Sequence, residues 1–168
     1  MIWASLPNRM YDLLLDGFVY DGLDAGICAL VTPAPIQMQG GGALRIDVAK
    51  PTENTWDIGA STPITKNFKA GDLIVFAVWA KLDAEDADTQ LDIPAVIQVS
   101  NAPYTPIVQG KVTLTTSWQL VHMQGVSGSD HEAGTTNVAL SIGGSAKKID
   151  MGPAYVLNES APPAAPAH

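Results

Sequence analysis

Three segments from residue 69 onward constrain the fold of the chain more than anything else in the sequence. Residues 69–82 read "KAGDLIVFAVWAKL", residues 111–125 "KVTLTTSWQLVHMQG" and residues 147–158 "KKIDMGPAYVLN". Each joins a polar or turn-forming start to an apolar run rich in β-branched and aromatic residues, which suits a sandwich strand. In the first segment, Leu73, Val75, Ala77, Trp79 and Lys81 alternate with Ile74, Phe76, Val78, Ala80 and Leu82, so both faces are apolar. That pattern predicts an interior strand, with the Trp79 and Lys81 side turned toward a groove.

Other strand signals repeat along the chain. In "ALRIDVA", Leu44, Ile46 and Val48 share one face while Arg45 and Asp47 share the other, the mark of a half-buried strand. Further strands are expected over 93–100, around 104–108, and over 111–115, 118–124, 136–142 and 148–157. The stretch "TPAPIQMQGGG" at 32–42 is expected to be a loop, from its prolines and glycines. Near the N-terminus, Met10, Leu13 and Leu14 fit one helical turn or a strand equally well. Short strands separated by turn signals predict an all-β chain: a two-sheet antiparallel β-sandwich of the jelly-roll kind. Its 168 residues suit one domain. The expected division is an N-terminal extension with the first strand or strands at 1–30, the jelly roll at 31–158, and a Pro/Ala-rich tail at 159–168.

Composition excludes several function classes. A formal charge of -8 with nine scattered Lys and Arg residues argues against a nucleic-acid partner, because phosphate binding draws on basic side chains. No apolar run approaches membrane-spanning length, so no membrane partner is expected. The first residues lack a basic segment followed by a long apolar one, so no secretory signal is expected. One cysteine, Cys28 in "AGICALV", leaves no intramolecular disulfide and suits a small core hydrophobe.

Catalytic patterns are equally thin. The three histidines show no zinc-ligand spacing, and "GGG" at 40–42 precedes a strand, not a phosphate-binding helix. The acidic run "LDAEDADTQLD" lacks the turn glycine of a calcium loop and is expected to be a solvated hairpin tip. Ser129, Asp130, His131 and Glu132 are adjacent in one loop, whereas catalytic triads converge from separate elements. No pair of carboxylates stands out for glycoside hydrolysis. The expectation is a non-enzymatic protein.

The order "GGALRIDV", "NTWDIG", "KAGDLIVFAVWAKL", "APYTPI", "TTSWQLVHMQG", "TNVALSIG", "KIDMGPAYVL" resembles carbohydrate-binding modules of the family four, nine and twenty-two type. The resemblance covers roughly residues 40–157 and rests on order and spacing. It implies a jelly roll that binds polysaccharide on a concave face or edge loops, with Trp56 and Tyr104 as aromatic platforms. Sugar rings stack C–H groups on aromatic faces while their hydroxyls need polar partners. For those partners Asp57, Gln98 and His122 are the nearest candidates, with Arg45 a further one. Relatives often supply an aromatic or acidic group from the penultimate strand, and "NVALSIGG" has neither. The resemblance also implies a structural calcium ion held by Asp150 together with an early acid. Here Val19 stands in "DGFVYDG" where that acid belongs, leaving Asp16 or Asp21 as substitutes. No other cofactor is expected.

Plainer roles stand beside these. Trp79 suits core, Trp118 packing, Trp56 edge packing, Tyr104 the cover of a sheet end, and His122 a satisfied structural histidine. Two functions follow. One is a structural subunit, such as a decoration protein on a virion surface, whose partners are copies of itself or another structural protein and which also binds glycans. The other is a dedicated polysaccharide-binding module working outside the cell. Ile2, Trp3, Leu13 to Leu15 and Tyr155 to Leu157 are the expected intersubunit contacts in an assembly.

Overall fold

The computed structural model describes residues 19–21, 28–34, 43–85 and 88–160. Ten strands follow one another: β1 (Val19–Asp21), β2 (Cys28–Ala34), β3 (Ala43–Val48), β4 (Gly59–Ile64), β5 (Leu73–Leu82), β6 (Gln90–Val99), β7 (Pro106–Thr115), β8 (Gln119–Val126), β9 (Thr136–Ser141) and β10 (Lys147–Asn158). A 3-10 turn, Thr55–Asp57, precedes β4. The strands form two five-stranded antiparallel sheets. Sheet I has the order β1-β4-β9-β6-β7 and sheet II the order β2-β3-β10-β5-β8. This is the two-sheet sandwich predicted from the strand signals.

Alternation explains how the sheets pack. In β9, Thr136, Val138 and Leu140 are buried while Asn137, Ala139 and Ser141 are half-exposed. In β5 the inward set is Ile74, Phe76, Val78, Ala80 and Leu82, all within the shared core. Ile46 and Ile149 from sheet II meet Ile64, Ile97 and Val138 from sheet I in the same core. Fully burying one such side chain stabilises the fold by about 1.5–3 kcal/mol. β5 lies between β10 and β8, the interior place its two apolar faces predicted.

One margin of the sandwich is drawn together by glycines. A Cβ on Gly125 of β8 would fall 2.6 Å from Val108 Cγ1 of β7, and one on Gly110 of β7 would fall 3.3 Å from Met123 Sδ of β8. The missing side chains make room for Val108 and Met123, so these two strands from different sheets approach closely.

Several expectations change. Thr32, Pro33 and Ala34 belong to β2, not to a loop; β2 is an edge strand with a register shift between Val31 and Ala34, a place that tolerates proline. The boundary expected after residue 30 therefore falls inside β2. Residues 104–108 and 111–115 do not form two strands: β7 is continuous from Pro106 because Gln109 and Gly110 stay paired with Val96 and Ala95. Trp79 is half-buried on the outward side of β5, not in the core, because the alternation that buries Val78 and Ala80 turns it away. Val156 and Leu157 are buried, so they offer no contact surface. The segment around Met10, Leu13 and Leu14, the contacts expected at Ile2, Trp3 and Leu13 to Leu15, Asp16, the glycines at 40–42, and the tail from 161 lie outside the described residues.

Candidate functional site on the outward face of sheet I

The outward face of sheet I is polar and low. Register sets its rows. Pro63 of β4, Asn137 of β9 and Gln98 of β6 stand side by side, followed by Ser61, Ala139, Val96 and Gln109, then by Gly59, Ser141, Pro94 and Lys111. Directly opposed residues place their Cβ atoms about 4.5–5.5 Å apart, so the Asn137 and Gln98 amides are neighbours. Asn137 Oδ1 is buried with no hydrogen-bond partner.

Tyr104 belongs to the same end of the sheet. It sits in the loop from β6 to β7, immediately after the strand that carries Gln98, and 53% of its surface is exposed. The loop is held by hydrogen bonds from Tyr104 N to Asn101 O (2.8 Å), Val99 N to Thr105 O (3.0 Å) and Ser100 N to Thr135 O (2.9 Å). Tyr104 has φ +55, a left-handed conformation that disfavours a residue with a bulky side chain. Such strain persists where the surroundings over-determine it, and it concentrates at functional sites.

Trp56 and Asp57 lie at the other end of the same sheet. Their turn is locked onto the β9–β10 connection: Thr52 N donates to Gly144 O (2.8 Å), Gly144 N to Thr52 Oγ1 (2.7 Å) and Gly143 N to Thr55 O (2.7 Å). Asp57 Oδ2 accepts from Asn54 N at 2.9 Å, which closes the turn. Trp56 is 71% exposed on this fixed support. The length of β9, five residue steps, separates the two ends by about 17 Å. Sheet I therefore places Gln98 and Tyr104 at the same end and Trp56 and Asp57 at the other.

The remaining candidates belong to sheet II. His122 is half-buried on the outward side of β8, opposite Ala77. Asp150, 1% exposed, accepts from Arg45 Nε (2.7 Å) and Nη2 (2.9 Å), and Lys81 Nζ is 3.6 Å from its Oδ2. Arg45 also meets Asp83 at 2.8 Å, and Lys81 lies over the Trp118 ring at 5.9 Å. The Arg45 guanidinium is pushed above its ordinary range, first by its hydrogen bond to Asp150. Asp83 is held below the usual carboxylate range, first by the Glu85 backbone N–H and then by Arg45. Asp150 thus faces two cations, and among the described residues no cluster of three or more potential metal ligands occurs. Outward faces of opposite sheets point apart, so His122, Arg45 and Asp150 cannot share one ligand with Gln98 and Tyr104.

Among the outward side chains of β4, β6, β7 and β9, charge is confined to the β6–β7 flank. Lys111 Nζ donates to Asp92 Oδ2, and Thr113 Oγ1 donates to Asp92 Oδ1 at 2.6 Å. Asp92 is held low, first by Lys111 and then by Thr113. In the β8–β9 loop, Ser129 Oγ is 3.0 Å from His131 Nε2. There the His131 ring packs on Phe68 and its backbone pairs with Phe68, which ties two connections together. That is a structural latch.

Sequence reasoning missed Asn137, Gln109 and the Asp92–Lys111 pair. The signal for Asn137 was present in "TNVALS", where the apolar alternation turns Asn, Ala and Ser outward; the penultimate strand offers an amide in place of an aromatic or an acid. Amides that both donate and accept, beside an exposed aromatic ring, match a ligand with hydroxyls on one side and C–H groups on the other.

No family model matches the chain, and the search of curated proteins finds no match either. Solved structures share its fold. A CBM4 module aligns over 92% of this chain and 100% of its own, at 20% identity and a TM-score of 0.63. The second N-terminal cellulose-binding domain of Cellulomonas fimi β-1,4-glucanase C covers 94% of this chain and 100% of its own (18% identity, TM-score 0.62). The CBM22-1 xylan-binding domain of Paenibacillus barcinonensis Xyn10C covers 91% and 92% (14%, 0.57). The sandwich shares the jelly-roll fold of these modules.

Proposed function

We propose that the chain is a polysaccharide-binding module without catalytic chemistry of its own, and that it binds through the outward face of sheet I at the Tyr104 end. The observation that carries this reading is the pairing of Gln98 with Asn137 at the end of sheet I where the next loop holds the exposed, strained Tyr104. The Tyr104 ring stacks on a pyranose face while the amides exchange hydrogen bonds with its hydroxyls. Likeness to modules whose names specify cellulose and xylan supports those two polymers as the first to try.

Affinity electrophoresis in gels containing soluble β-glucan or xylan tests it. The wild type is retarded, and Tyr104→Ala or Gln98→Ala lowers retardation about 5–10-fold, as loss of a stacking ring or a bound amide worth about 1 kcal/mol or more predicts. His122→Ala, on the opposite sheet, leaves retardation unchanged. Equal loss in all three variants, or no retardation of the wild type by any polysaccharide tried, refutes the reading.

A further inference from the structure

Resting on that reading, we infer that Asp92 is a specificity-determining residue: by holding Lys111 it presents a neutral face that rejects anionic polysaccharides.

The argument begins with the composition of the face. Among the described residues of β4, β6, β7 and β9, the side chains that alternate outward are small, apolar or amide except for one cation, Lys111, and one anion, Asp92. Register places Lys111 opposite Pro94 and Asp92 opposite Thr113, so the two charges are diagonal neighbours across β6 and β7. Both carboxylate oxygens of Asp92 are engaged, one by Lys111 Nζ and the other by Thr113 Oγ1. Thr113 thereby fixes the carboxylate where Lys111 meets it, and the lowered proton affinity of Asp92 keeps the pair ionised through the neutral and mildly acidic range. A uronate or sulfate laid on this face meets a cation already neutralised, in a chain whose net charge of -8 repels it further. A neutral chain meets no such penalty. Without Asp92 the Lys111 ammonium becomes the only charge among those outward side chains of β4, β6, β7 and β9 and is free to reach a ligand carboxylate.

The test compares wild type, Asp92→Asn, Asp92→Asn with Lys111→Gln, and Glu132→Gln in gels containing xylan or polygalacturonate at low salt. Glu132 is exposed in the β8–β9 loop, so its substitution removes the same charge without touching the face. Thermal melting confirms that each variant folds. Asp92→Asn is expected to gain retardation by polygalacturonate of roughly 2–5-fold, the range of an exposed ion pair, and to lose the gain in high salt. The double variant and Glu132→Gln gain nothing. Retardation of the wild type by polygalacturonate, no gain in Asp92→Asn, or a gain that survives Lys111→Gln overturns the inference. Failure of xylan and β-glucan to retard the wild type refutes the underlying polysaccharide reading, whatever Asp92→Asn does.

Discussion

Replacing Asp150 by alanine is the sharpest probe of what holds sheet II. Its carboxylate is 1% exposed and accepts two hydrogen bonds from Arg45, with Lys81 3.6 Å away. Breaking a buried pair typically destabilises by about 3–5 kcal/mol because one charge is left buried and unpaired. Arg45 is not left so: its side chain is 31% exposed and keeps Asp83 at 2.8 Å. Lys81, partly exposed, keeps its place over Trp118. The expected loss is therefore about 2–3 kcal/mol, the worth of hydrogen bonds to a charged group plus the small cavity left behind. For a domain of this size that corresponds to a fall in melting temperature of roughly 4–12 °C. Urea unfolding followed by tryptophan fluorescence measures it, and a cycle with Arg45→Ala isolates the pair. The coupling should be at least about 1 kcal/mol. Replacing Arg45 and Asp150 together by leucine should recover most of the loss, since apolar pairs often replace buried ion pairs at little cost. A loss under about 0.5 kcal/mol for Asp150→Ala, or strict additivity with Arg45→Ala, refutes the assignment of Asp150 as the anchor of this network.

Two further outcomes are expected. Gly143→Ala should destabilise the fold by about 1–3 kcal/mol and open the Trp56 turn to proteases, because the new Cβ would fall 2.5 Å from Thr52 Oγ1 and 2.8 Å from the Asn54 and Thr55 carbonyl oxygens; unchanged melting and proteolysis would count against it. Stability should be flat near neutrality and fall in acid: Asp83, held low by the Glu85 N–H and Arg45, and Asp130, held low by the Ala70 N–H and Lys69, stabilise the fold above the ordinary carboxylate value of 3.8 and lose that contribution as pH falls through their lower folded values. Melting recorded against pH should show Asp83→Asn with a shallower acid limb than the wild type, and an equally steep limb would refute the role of Asp83.

The sandwich was legible because its strands carry their own instructions. Alternation in β3 and the two apolar faces of β5 follow from residue order alone, and the family resemblance added the pairing of strands into a jelly roll. What stayed hidden depends on pairing across the chain. Gln98 and Tyr104 lie close in sequence and were both named, whereas Asn137 joins them only because β9 pairs with β6 in one register. His122 and Asp57 were named for their chemistry, and no local pattern tells which sheet a polar side chain will face. Asp150 carried a calcium expectation from the resemblance, while its pairing with Arg45 needs β3 and β10 side by side, over a hundred residues apart in sequence. Pro33 argued for a loop until β2 proved to be an edge.

The glycine contacts between β7 and β8 matter to recognition as well as to packing. β7 carries Gln109 and Lys111, and at Val108 and Gly110 it packs against β8 through a single layer of side chain, Val108 over Gly125 and Met123 over Gly110. A flank so clamped cannot splay when a ligand arrives, nor can it slide relative to sheet II without driving Val108 into the Gly125 backbone. If sheet I binds as proposed, little ordering entropy on β7 remains to be lost on association. Binding at this face should therefore behave as docking to a rigid template, with selectivity altered by exchanging outward side chains and not by reshaping the sheet.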